Sequence, residues 1–146
     1  MSRAGSNTLA VVRISRALLD ELIAHARDEA PNECCGLIGT RDGQPESYYR
    51  IRNEYESPMR FLFHRDDLPE VNRQAEERDE LLSIVYHSHP RTEARPSQTD
   101  INLAGEMAGW FPGGWLICSL AGADPIVRAF EITEGEACEL ELSVVG

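Results

Sequence analysis

The chain has 146 residues, 42% of them apolar and 27% charged, the size of one domain that buries a core without staples. Its formal charge of −11, from 14 basic and 25 acidic residues, argues against nonspecific nucleic-acid binding, which needs phosphate neutralisation. No run approaches the roughly 18 apolar residues of a membrane helix.

The first residues set a further expectation. Met1 to Thr8 is polar and lacks the apolar core of a signal peptide, so residues 1–7 read as a tail and the cytoplasm as the location. A strand is expected over Thr8–Ile14. Ser15 is a good N-cap, and Leu18, Leu19, Leu22, Ile23 and Ala26 recur at helical spacing to about Ala30, where Pro31-Asn32 stops the helix. Cys34–Thr40 is a short apolar strand, Arg41-Asp42-Gly43 a turn, and Ser47–Arg52 the next strand. Glu54–Pro58 reads as loop and Arg60–His64 as a further strand. Asp66–Leu81 reads as helix, with Pro69 in the first turn, where proline is tolerated, and Asp66-Asp67 as acids favoured by the helix dipole. Ser83–His87 is a central strand, Arg91–Pro96 a polar loop, and Pro96 or Ser97 opens a helix to about Ala108. After a turn region at Trp110–Gly114, strands follow at Trp115–Leu120, Pro125–Thr133 and Ala137–Val144. Strands alternating with three helices predict an α/β sheet between helices, antiparallel at its C-terminal end.

Cys34, Cys35, Cys118 and Cys138 form no CxxC pair, which removes zinc ribbons and thioredoxin motifs and leaves buried free thiols as the expectation. Every basic residue besides histidine is Arg. His25 and His64 read as surface or core residues.

The segment His87-Ser88-His89-Pro90, followed by Ser97 and Asp100, carries the chemistry. Histidines two apart on a strand project to one face. Ser97 and Asp100, three apart at a helix start, share a helix face. Two imidazoles and a carboxylate are the ligand set of a catalytic zinc, with a fourth position left to water. A zinc ion so held acidifies water and polarises a substrate carbonyl. Such a site also needs a carboxylate that is not a ligand, to move the proton from water to the leaving amine. Glu33, at the tip of the Cys34–Thr40 strand, is the best candidate. The Ser97 hydroxyl can donate to the oxyanion that develops on the attacked carbonyl, and can also cap its helix.

Glu33, then HSHP at 87–90, six residues, then Ser97-x-x-Asp100 resembles the JAMM (MPN-plus) metallopeptidase motif. Asn32-Glu33-Cys34-Cys35-Gly36-Leu37 resembles the small bacterial members, and the similarity runs over roughly Thr8 to Val144 as one domain. The resemblance implies a cytidine-deaminase-like three-layer α/β/α sandwich with a mixed sheet. It also implies that His87, His89 and Asp100 bind Zn2+, that Glu33 is the general acid/base, and that Ser97 stabilises the oxyanion. The substrate it implies is a small ubiquitin-like sulfur-carrier protein with a Gly-Gly C-terminus. The bond after Gly-Gly, peptide or isopeptide, is cut to release cysteine, as in cysteine biosynthesis, or to trim extra residues. A Gly-Gly tail has no side chains and threads a narrow groove along a sheet edge. The alternative is a non-catalytic MPN-type binding scaffold. A deaminase-type hydrolase expects a PCxxC ligand motif, which the chain lacks. Oligomeric state is left open, a dimer among the options.

Overall fold

A computed structural model describes residues 11–146. The expected tail 1–7 and the first residues of the strand expected from Thr8 lie outside the described residues. Strand β1 (Val11–Ser15) leads directly into helix α1 (Arg16–Glu29). Ser15 is its N-cap, with Oγ accepting the Leu18 N–H at 3.1 Å. Strands β2 (Cys35–Arg41) and β3 (Gln44–Ile51) form a hairpin. Its two loop residues, Asp42 and Gly43, have φ of 53° and 81°, the left-handed pair that a tight hairpin turn demands.

A single 3-10 turn (Arg65–Asp67) precedes α2 (Leu68–Glu77), and β4 spans Leu81–His89. Then come α3 (Gln98–Glu106), β5 (Gly114–Ser119), β6 (Ile126–Thr133) and β7 (Glu136–Val145).

The seven strands form one sheet in the order β1-β7-β6-β5-β4-β2-β3. The β1–β7 and β4–β5 pairs are parallel and the rest antiparallel, so the sheet is mixed. The two edges approach one another: the Gln44 side chain at the start of β3 accepts the Arg13 N–H of β1 at 2.8 Å. Each buried strand divides its side chains between two cores by the period-two rule. Ile38, Ile84, Tyr86, Leu116 and Cys118 pack with Leu18, Leu22 and Ala26 of α1. Leu37, Val85 and Trp115 pack with Val71 and Ala75 of α2 and with Ala104 of α3. The result is the expected α/β/α sandwich, with α1 on one face and α2 and α3 on the other. Among the described residues no helix is long and apolar enough to cross a membrane.

Several expectations are corrected. Arg60–His64 is not a strand; it contributes one bridge, Asn53 to Phe63. The helix expected over Asp66–Leu81 stops at Glu77. Asp79 turns the chain with φ 57°, and buried Glu80 is drawn toward the β2–β3 hairpin, accepting from Tyr49 Oη and Ser47 Oγ at 2.6 Å each. Leu81 already belongs to β4. Asp67 does more than favour the dipole: it accepts from Arg52 Nε and Nη2 at 2.7–3.1 Å and from the Arg52 N–H at 2.9 Å. Cys34, Cys35 and Cys118 are buried free thiols, but Cys138 is exposed. Trp115 is core, whereas Trp110 is 69% exposed.

Candidate metal centre

Three elements converge at one end of the sheet. On β4, Ile84 and Tyr86 face α1, so Val85, His87 and His89 face α2 and α3. Asp100 occupies the third position of α3. Ser97 Oγ accepts the Asp100 N–H at 3.1 Å, and Asp100 Oδ2 accepts the Ser97 N–H at 3.0 Å. This reciprocal capping box turns the carboxylate back over the helix N-terminus, toward the end of β4. The loop between them is pinned by Ser119 Oγ, which donates to the Thr92 carbonyl at 2.6 Å.

The antiparallel register between β2 and β4 pairs Cys35 with His87. It continues outward through the Ser88 N–H, which donates to the Cys34 carbonyl at 3.1 Å, and the Cys34 N–H, which donates to Ser88 Oγ at 2.8 Å. Glu33 is the next residue outward, near enough for the charges of His89 and Asp100 to act on its carboxyl. Gly36 lies next to this end, where a Cβ would collide with the Tyr48 hydroxyl and the Tyr49 carbonyl.

His87 Nε2, His89 Nε2 and Asp100 Oδ2 form a triangle with edges of 3.0, 3.0 and 3.1 Å. All three residues are buried. A tetrahedral ion with bonds of about 2.0–2.1 Å spaces its donors about 3.3 Å apart, so this donor set fits zinc with a small outward adjustment. His89 Nδ1 lies 2.8 Å from the Glu93 carbonyl. A carbonyl only accepts, so Nδ1 carries a proton, and the neutral ring keeps its Nε2 lone pair for a metal.

The electrostatics follow from burial and from this clustering. Burial holds the His87 imidazole below its ordinary range, against the pull of Asp100. Burial opposes the charge on His89 as well, but Asp100, the Glu93 carbonyl and Glu33 outweigh it and raise its pKa. Burial would raise Asp100; the two imidazoles and the Ser97 N–H reverse this and hold it well below the usual carboxylate range. For Glu33 burial wins over the opposing pull of His89, and with Asp100 nearby the carboxyl is pushed up to about 8. Its Oε1 is buried without a protein partner. Ser97 is exposed, and because its Oγ accepts from Asp100, its own proton remains available to a ligand.

All five residues expected from the sequence thus lie at one end of the sheet. Other contributors were not expected. Asn53 Nδ2 donates to the Glu33 carbonyl at 3.1 Å and to the Arg60 carbonyl at 3.0 Å, while its Oδ1 accepts the N–H groups of Tyr55 and Leu62. Phe61 stacks on the His87 ring at 4.5 Å between centroids. The Glu33 N–H donates to the Ser57 carbonyl at 2.9 Å. Asn53 is an amide before a Pro-containing loop, and no local sequence signal ties it to Glu33, 20 residues away. A cleft of about 460 Å³ opens beside Glu33, walled by His25, Asn32, Arg50, Arg52 and Asn53 among others.

Comparison with known proteins agrees with this architecture. A family model for prokaryotic homologs of the JAB domain matches residues 15–133. The chain is 31% identical over 140 residues to the CysO-cysteine peptidase of Mycobacterium tuberculosis (strain ATCC 25618 / H37Rv), covering 94% of each. It is 33% identical over 132 residues to a probable TtuB-protein conjugate cleaving protease of Thermus thermophilus, covering 89% of this chain and 82% of that one. The solution structure of protein DSY2949 from Desulfitobacterium hafniense is similar with a TM-score of 0.80 and 31% identity, over 92% of each chain. The family match spans most of the chain and the relatives cover nearly all of it, so the chain belongs to the JAB-domain (JAMM) family, among its prokaryotic members.

Proposed function

We propose that the chain is a zinc-dependent peptidase that hydrolyses the peptide or isopeptide bond after the C-terminal Gly-Gly of a small ubiquitin-like sulfur-carrier protein. Cysteine, or a few extra C-terminal residues, is the product released, and the cytoplasm is the setting. The carrying observation is the triangle of His87 Nε2, His89 Nε2 and Asp100 Oδ2 at 3.0–3.1 Å, with the Glu33 carboxyl within reach of the charges of His89 and Asp100. A complete ligand set beside a buried carboxylate supports turnover over a scaffold role. Relatives named for cleaving a CysO–cysteine bond and TtuB–protein conjugates support the carrier class of substrate.

The residues divide the work as follows. His87, His89 and Asp100 would hold Zn2+, which when bound supplies a Lewis acid that polarises a carbonyl and acidifies water. Glu33 takes the proton of the attacking water and returns it to the leaving amine. Burial pushes this carboxyl up to about 8 in the metal-free chain, and the charge of a bound cation would draw it back down, toward the range where one group both takes and returns a proton near neutral pH. The free Ser97 proton donates to the oxygen on which negative charge develops. The Gly-Gly segment lies extended and meets the site without side chains, so selectivity comes from docking the folded carrier.

The test is a mass measurement on a carrier extended by one residue beyond Gly-Gly. Purified protein should remove that residue, and Glu33→Ala should abolish the loss. Undiminished loss with Glu33→Ala overturns the assigned mechanism.

A further inference from the structure

The two histidines of the triangle are supported in different ways. His89 is oriented by its Nδ1 proton on the Glu93 carbonyl at 2.8 Å. His87 has no such anchor: its Nδ1 is buried and makes no hydrogen bond to the protein. Metal-binding histidines ordinarily fix ring and tautomer through that second nitrogen, so His87 needs another constraint.

The ring contacts supply one. Phe61 lies on the His87 ring with centroids 4.5 Å apart and planes 27° apart. Trp115 meets the same ring at 5.5 Å and 89°. Phe61 is itself wedged by Phe63 at 5.6 Å and Trp115 at 5.8 Å, and is 3% exposed. A flat ring held parallel to another has little freedom to rotate about χ2 in a close-packed core. The backbone on either side of Phe61 is also fixed. Asn53 Oδ1 accepts the Leu62 N–H at 3.2 Å, and Asn53 Nδ2 donates to the Arg60 carbonyl at 3.0 Å.

We propose that Phe61 is a positioning residue for His87: its stacked ring sets the orientation of an imidazole that has no hydrogen-bonded anchor at Nδ1. The inference rests on reading the triangle as a metal site. Loss of the ring face while apolar volume is kept, as in Phe61→Leu or Phe61→Met, frees the imidazole to rotate. Phe61→Tyr keeps the face. Val71 of α2 belongs to the same core cluster and is not one of the rings stacked around Phe61, so Val71→Ala reports on packing alone.

The experiment measures zinc affinity by chelator competition and the absorption spectrum of the cobalt-substituted protein, with thermal melting alongside. Zinc affinity should fall about 10- to 100-fold in Phe61→Leu and Phe61→Met, the cost of losing a partner that orients a ligand. The cobalt spectrum should shift in both. Phe61→Tyr should stay close to wild type, and Val71→Ala should lower the melting temperature while leaving affinity and spectrum unchanged. Wild-type affinity and spectrum in Phe61→Leu and Phe61→Met overturn the proposal, as does an equal loss of affinity in Val71→Ala. A wild-type protein that binds neither metal instead overturns the metal-site reading beneath it.

Discussion

Asp100 Oδ2 accepts the Ser97 N–H at 3.0 Å and is the same oxygen that faces both imidazoles. The cap that starts α3 is therefore also what aims the third donor of the triangle. Ser97 serves the cap, and in the proposed reaction its hydroxyl would also donate to the substrate.

Those jobs separate by substitution. Ser97→Ala should lower kcat about 100-fold, the order expected for loss of one oxyanion donor, and destabilise the protein by about 1 kcal/mol through the lost cap. Ser97→Gly should show the same kcat loss, with a stability cost of only a few tenths of a kcal/mol. Steady-state kinetics and urea titrations read the two effects, and an unchanged kcat in both variants removes the hydroxyl from the reaction.

Glu33 should destabilise the metal-free fold at alkaline pH. Its carboxyl is pushed from an ordinary 4.5 to about 8 by burial, so in this window the folded chain holds a proton that the unfolded chain has released. Folding stability therefore falls as pH rises through the window, by at most about 1.4 kcal/mol per pH unit. Metal-free Glu33→Gln should melt above wild type at pH 8 and match it near pH 4. Equal melting temperatures at pH 8 count against the buried, uncharged carboxyl.

His25 sets an opposite, acidic slope. Burial, with help from Arg50, lowers its pKa from 6.5 to about 4, and its Nδ1 lies 2.6 Å from Tyr48 Oη. Here the unfolded state binds the proton first, so stability is lost as pH falls from 6.5 toward 4. The loss totals up to about 3 kcal/mol. His25→Gln should flatten this part of the stability profile, measured by denaturant titration across that range.

Zinc should stabilise the fold by mass action. A ligand at 100 times its Kd adds about 2.7 kcal/mol. The melting temperature of wild type should therefore climb with free zinc, and that of His89→Ala should not.

The fold and the chemistry were legible in the sequence to different depths. Strong local periodicity marked α1, β2, β4 and the triad, because the period of two in His87-Ser88-His89 and the cap spacing of Ser97 and Asp100 are local facts. Glu54–Pro58 is the loop expected, but Arg60–His64 is not the strand expected, because a side chain satisfies its backbone: Asn53 accepts the Leu62 N–H that a strand partner would take and donates to the Arg60 carbonyl. The end of α2 was misread because Glu80, polar and helix-prone, is claimed by Tyr49 and Ser47 across the sheet. Phe61 was invisible as a support for His87 because only tertiary packing brings the two rings together.

The central claim is that His87, His89 and Asp100 hold a zinc ion that peptide-bond cleavage requires. It is tested most directly by the intact mass of a Gly-Gly-cysteine carrier after incubation with zinc-loaded protein, with the same protein stripped by chelator and then reloaded, and with His87→Ala. The account predicts loss of the mass of cysteine with the loaded and reloaded proteins, and no loss with the stripped protein or His87→Ala. An intact carrier with fully zinc-loaded wild type, or undiminished cleavage by His87→Ala, would contradict it.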